Sequence, residues 1–213
     1  MAKTNHIPFE KWNLDMLYEN FGLQQVRTLN ALTHWESESE KEILSVEEIQ
    51  YLDRLSEKMF EDVENWNEEE LKIKSIYPIL WQVNFEVNSF KVFAQRKMSA
   101  VLNNIPLVGR PELVVAQGIS VPKKPYFFIH EYKKQYGNTA DPRAQLLAAM
   151  LAAQTLNATE QPLYGVYVAG KSWTFTALSG TQYAVTDAYI ATQKDIYSIL
   201  KMLRFIKRQL LVL

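Results

Sequence analysis

Two glutamates and a lysine define the chemistry that this sequence could do. Glu131 and Lys133 close the run Pro125-Tyr-Phe-Phe-Ile-His-Glu-Tyr-Lys-Lys134, whose apolar residues predict a strand. Side chains alternate along a strand, so Phe127, Ile129, Glu131 and Lys133 are expected on one face and Phe128, His130 and Tyr132 on the other. An E-x-K tripeptide alone marks no more than a strand end reaching solvent, where ion pairs contribute little. Its context is more specific, because Pro111-Glu112 precedes Glu131 by eighteen intervening residues, 113 to 130. Two adjacent strands delivering Glu112 and Glu131 to one sheet edge would make an oxygen-ligand site for Mg²⁺ or Mn²⁺ beside the Lys133 amine. Such a site suits phosphodiester hydrolysis. The ion neutralises charge developing on the phosphate and activates a water, which the lysine orients or, if its pKa is lowered, deprotonates.

The elements needed to position these groups can be read around them. Leu113 to Ala116 forms an apolar strand between Gly109 and Gly118, followed by the Pro-containing loop Val121 to Pro125. After a turn from Tyr136, Asp141 is placed to cap a helix with Pro142 at its first position, running to about Leu156. That helix is apolar almost all round, as expected for one packed against a sheet, and Gln145, Ala148, Ala149 and Ala152 give it a small-residue face. Upstream, Asn67 caps a helix through Leu71, Ile73, Ile76, Ile79 and Leu80, with Pro78 marking an irregular or terminal turn. Leu44, Ile49, Leu52, Leu55, Met59 and Phe60 recur at helical spacing behind a Ser45/Glu48 capping box. The segments Val83–Val87 and Phe90–Arg96 read as a strand or hairpin. Gly165 to Gly170 and Ser172 to Leu178 alternate as two strands about a tight Gly170-Lys171 turn, Tyr183 begins a further strand, and Asp195 to Leu210 is a terminal helix.

From about Asn67 to Thr192 this order of elements resembles the PD-(D/E)XK nuclease superfamily, which includes restriction endonucleases and many repair nucleases. Asn67-Glu-Glu-Glu-Leu-Lys-Ile-Lys-Ser-Ile-Tyr-Pro-Ile-Leu80 looks like the T-E-x-x-x-R/K…I-x-P-L-L helix that opens the nuclease segment of type I restriction enzymes. Pro111-Glu112 stands at the P-D step, Glu131-x-Lys133 at the E-x-K step, and Asp141-Pro-Arg-Ala-Gln145 at the following helix with its glutamine. The resemblance implies an α/β fold with a restriction-endonuclease-like mixed central sheet flanked by helices, spanning residues 65–213 behind a helical N-terminal extension, 1–64. It implies Mg²⁺ or Mn²⁺ bound by Glu112 and Glu131 with support from Glu68, Lys133 acting on the water, and Gln145 orienting the lysine or the nucleic acid. Its substrate would be nucleic acid, with DNA expected. Glu112 stands where aspartate is usual, so its carboxylate reaches further by about one C–C bond.

Composition narrows the alternatives. The 213 residues are 47% hydrophobic and carry a net charge of −1, so the chain is globular and any polyanion site is local. Candidate phosphate contacts are Arg110, Lys123, Lys124, Lys134 and Arg143, with Arg204, Lys207 and Arg208 further on. Sparse basic residues also fit a catalytically silent module that keeps the fold to bind a partner, either a second copy or another protein. Cysteine is absent, which excludes disulfides and thiolate metal sites, and His6, His34 and His130 are too scattered for a zinc site. No apolar run approaches a membrane span, and a soluble cytoplasmic protein is expected. Gly165-x-x-x-x-Gly170-Lys171-Ser172 matches the P-loop pattern, but strand alternation on both sides contradicts the strand-loop-helix context which that motif requires. His130 is expected to be packed, and Trp66, Trp81 and Trp173 to be core anchors.

Overall fold

The computed structural model describes residues 7–136 and 141–212. In chain order the first half contains β1 (Ile7–Pro8), α1 (Leu14–Phe21), β2 (Gln24–Gln25), α2 (Asn30–Glu40), α3 (Val46–Asp62), α4 (Glu68–Leu71), a π turn (Lys72–Ile76) and α5 (Tyr77–Val83). There follow β3 (Phe90–Ala94), β4 (Met98–Leu102), β5 (Ile105–Gly109), β6 (Leu113–Gln117), β7 (Lys123–Lys133) and α6 (Pro142–Asn157). The chain ends with β8 (Leu163–Ala169), β9 (Ser172–Ser179), β10 (Gln182–Val185), β11 (Tyr189–Ile190) and α7 (Asp195–Leu211).

Among the described residues these strands form two sheets. The larger runs β2-β10-β9-β8-β7-β6-β3 with β11 on β9, and the smaller runs β1-β5-β4. Pairing in the larger sheet is mixed: β7 lies parallel to β8 across the α6 crossover, while β6 and β3 continue antiparallel. The protein is thus a mixed α/β fold with a mixed sheet flanked by helices. Residues 7–64 are built into it, because β2 adds to the edge at β10, β1 pairs with β5, and α2 packs on α7.

Each face of the large sheet has its own core. One is centred on Trp35, whose ring lies edge-on to Phe128, Tyr164 and Phe175 and whose Nε1 donates to the Met202 carbonyl at 2.8 Å. On the other face α6 lies between the large sheet and the β4–β5 hairpin, which explains why its sequence is apolar all round. Ala148, Ala149 and Ala152 are fully buried there, and the sheet answers with Gly165. A Cβ at Gly165 would meet Met150 Sδ at 2.9 Å, Leu146 Cδ1 at 3.0 Å and the Ile129 carbonyl at 3.2 Å. Gly165→Val should therefore overpack this contact and lower stability by about 2 kcal/mol in urea denaturation. An unchanged midpoint would mean that α6 lifts freely from the sheet.

Several local expectations hold and others change. Ser45 and Glu48 form the capping box of α3, and Asp141 accepts from the Arg143 and Ala144 amides at the start of α6. Gly170 has a φ of +55° in the turn joining β8 to β9, so Ser172 opens a strand and the P-loop reading is removed. Residues 84–87 are not a strand; Val83 ends α5 and the strand begins at Phe90. The β4–β5 hairpin turns on Asn103 and Asn104, both with positive φ, a two-residue turn that asparagine tolerates. Phe127 does not share a face with Ile129. It is the extra residue where β7 slips register between Val115 and Ala116, and it packs with Phe90 and Tyr164 in the Trp35 core. The turn expected between Tyr136 and Asp141 falls largely on 137–140, outside the described residues. No helix among the described residues is long and apolar enough to cross a membrane.

Candidate active site

The register of β6 on β7 sets Leu113 opposite His130 and Val114 opposite Ile129. Continued by one residue, it brings Glu112 opposite Glu131 on the face that α6 covers. Lys133 lies two residues further, at the carboxyl end of β7, where ligands of α/β sheets commonly bind. Across this end runs α4, begun by a capping box in which Asn67 accepts from the Glu70 amide and Glu70 accepts from the Asn67 amide. Its first residue, Glu68, reaches Lys133, with Oε1 3.3 Å from Nζ. Four of the five assigned side chains, Glu68, Glu112, Glu131 and Lys133, therefore gather at one sheet end. Gln145 is buried in the first turns of α6, and its Oε1 has no hydrogen-bond partner.

Glu131 is fully buried and neither carboxylate oxygen has a hydrogen-bond partner. Burial pushes its pKa well above the usual carboxylate range and the Glu112 charge adds to this. Lys133 and the Glu112 amide act in the opposite direction, the amide without reaching hydrogen-bond geometry, and Glu68 again raises it. On the opposite face, His130 sits among Phe85, Phe128 and Tyr132 with Nδ1 unpartnered, and burial holds its pKa down at about 3. It is the packed histidine expected from the sequence.

Lys72 joins the cluster although sequence reasoning passed over it. Its side chain is only 4% exposed, and Nζ lies 2.8 Å from Glu112 Oε2 and 2.8 Å from Glu69 Oε1. Burial opposes the ammonium charge, but the hydrogen bonds to Glu112 and Glu69 outweigh it and hold the pKa above the usual lysine range. The π turn makes this placement. Pro78 would clash with the Lys74 carbonyl in a regular helix, and the chain widens instead, with the Tyr77 amide donating to the Lys72 carbonyl five residues back. The available signal was the basic position of the Glu68-x-x-x-Lys72 pattern itself. Gln95, also unassigned, donates from Nε2 to Glu112 Oε2 at 3.1 Å.

These contacts determine how a cation could be held. Among the described residues no three His, Cys, Asp or Glu side chains are grouped for a metal, since Glu68 faces Lys133 and Glu112 faces Lys72. Glu131's two unpartnered oxygens, opposite Glu112 and beside Glu68, are nevertheless a hard-oxygen donor set short of positive charge, which fits Mg²⁺ or Mn²⁺.

The surroundings depart from the sequence reading in two ways. Lys123 and Lys124 begin β7, roughly 30 Å of strand from Lys133, while Arg204 pairs with Glu48 and Arg208 with Glu42. Trp66 and Trp173 are buried as expected, but Trp81 is not a core anchor: it is 84% exposed, beside a groove that runs to Leu113. The π turn adds a residue to the helical repeat and so rotates the following turn, which carries Trp81 outward.

Fold and site together define a mixed α/β protein with a carboxylate and lysine cluster at one end of its central sheet. No family model matches the chain, and no curated protein matches it.

Proposed function

We propose that this protein is a Mg²⁺- or Mn²⁺-dependent nuclease of the PD-(D/E)XK type that hydrolyses phosphodiester bonds in DNA. The observation that carries the reading is Glu112 opposite Glu131 on paired strands, with Lys133 next along and Glu68 against it. Bound there, the ion would neutralise charge building on the scissile phosphate and activate a water. Glu112 and Glu131 would hold the ion, and because burial disfavours the charged form of Glu131, an adjacent cation would favour its carboxylate. Glu68 fixes the Lys133 ammonium, which orients the attacking water, and Gln145 Oε1 offers a further buried acceptor. Glu112 also pairs with Lys72, 2.8 Å from Oε2 to Nζ.

That last contact favours a second reading, a catalytically silent module in which Lys72 permanently replaces the ion. Mn²⁺ titration separates the two, because a silent module takes up no ion at Glu112 and Glu131. The direct test is cleavage of single- and double-stranded DNA in Mg²⁺ and Mn²⁺. Lys133→Ala and Glu131→Ala should each lower the rate by about a hundredfold. Activity that both variants retain would remove the assigned mechanism.

A further inference from the structure

An aromatic-lined groove lies beside the carboxylate cluster. Tyr77 and Trp81 stand four residues apart on α5, so their side chains share a helix face. They line a groove of about 610 Å³ whose far wall is Ala94 and Leu113 and whose rim carries Asn84 and Glu86. Trp81 is 84% exposed and Tyr77 is 40% exposed, an arrangement that leaves aromatic faces in water unless something covers them.

Two features identify the occupant. The groove is continuous with the cluster, since Ala94 pairs with Leu113 and the next residues along, Gln95 and Glu112, are joined by a backbone and a side-chain hydrogen bond, each 3.1 Å. Tyr77 also lies within electrostatic reach of Lys72, Glu112 and Glu69. Beyond Glu112, exposed cations gather. Met98 pairs with Gly109 at the open end of the β4–β5 hairpin, and this places Arg96 and Lys97 beside Arg110, next to Gln95. Aromatic rings on one side of Glu112 and three cations on the other match the two parts of a nucleic-acid strand, a base that stacks and phosphates that need positive charge. Glu86 at the far rim repels phosphate, which directs the backbone toward the arginines, and its oxygens with Asn84 suit a base edge.

We infer that the Tyr77–Trp81 groove stacks an unpaired base of single-stranded DNA while Arg96, Lys97 and Arg110 hold adjacent phosphates. The inference rests on the nuclease reading and names its substrate form, because a paired base must first be unpaired and unstacked to enter the groove, whereas an unpaired base is spared that cost.

Binding of fluorescein-labelled oligothymidine, measured by anisotropy in EDTA, tests the subsite without catalysis. Wild type should bind the single strand more tightly than the matching duplex. Trp81→Ala should weaken binding by about tenfold, Trp81→Phe should retain most of it, and Arg110→Ala should reduce the salt dependence by about one phosphate contact. Equal binding by Trp81→Ala and wild type overturns the inference, as does equal affinity for the duplex. Tighter binding of the matching RNA overturns the DNA assignment. A concentration-dependent dimer that Trp81→Ala dissolves would give the groove to a second copy of the chain. Cleavage of the same strand in Mn²⁺ is scored separately. Binding without cleavage leaves the subsite standing and removes the nuclease reading, whereas cleavage with undiminished Trp81→Ala binding does the reverse.

Discussion

In EDTA the His130→Leu variant will lose stability as pH rises from 4.5, and the Glu131→Gln variant will gain it between pH 4.5 and 6.5, each at up to about 1.4 kcal/mol per pH unit. The two residues are neighbours on β7, fully enclosed on opposite faces of the sheet, and burial disfavours the charged form of each relative to the unfolded chain. For His130 the folded pKa is about 3 against 6.5. Below pH 6.5 the unfolded chain binds a proton that the folded chain refuses, so stability present at neutral pH is lost as pH falls toward 3, by roughly 5 kcal/mol in all. For Glu131 the folded pKa lies well above 4.5. Above pH 4.5 the folded chain keeps a proton that the unfolded chain releases, so stability is lost as pH rises toward the folded value. Where both groups act the slopes oppose, and the wild type's dependence will be shallower than that of either variant. Removing either exposes the other. Urea denaturation at pH 4.5, 5.5 and 6.5 on the three proteins gives the slopes. Parallel profiles would mean that water reaches one of these groups in solution.

Most of what the sequence disclosed came from period-two alternation and capping chemistry. Glu131 and Lys133 share a face with Ile129 because β7 alternates without interruption there, and Asn67, Ser45 and Asp141 cap helices because their short side chains reach the free amides. What escaped involves a change of period. The extra residue at Phe127 breaks alternation, and the π turn breaks the helical repeat, so Ile73 is 65% exposed and Lys72, next to it, is buried. A lysine within an apolar helix gives no sign of its direction; only the three-dimensional meeting with Glu112 does. The spacing of Glu68 and Lys72 suggests a pair along the helix, yet Glu68 turns to Lys133 and Lys72 to Glu69 and Glu112. Long-range partners of this kind depend on how α4 lies across the sheet, which no local pattern encodes.

Lys72→Met will lower stability by about 3 kcal/mol in EDTA, and Mn²⁺ will restore most of the loss. The ammonium is nearly enclosed and is the nearest positive charge to Glu112, whose side chain is only 13% exposed. Taking it away leaves Glu68, Glu112 and Glu131 clustered with Lys133 as their cation, and removing one partner of a buried pair costs more than the pair contributes. Methionine keeps most of the volume, so the loss reports charge more than packing. A divalent ion entering between Glu112 and Glu131 supplies what was lost. At a hundred times its dissociation constant it contributes about 2.7 kcal/mol. In the wild type the same ion must first displace Lys72 from Glu112 Oε2, so Mn²⁺ should raise its melting temperature less than that of Lys72→Met. Thermal melts of both proteins with EDTA, Mn²⁺ and Ca²⁺ measure this directly. Destabilisation that no divalent ion relieves would make Lys72 the fixed counter-ion of a silent module, because a site that cannot accept a cation after losing its own was never shaped to exchange one.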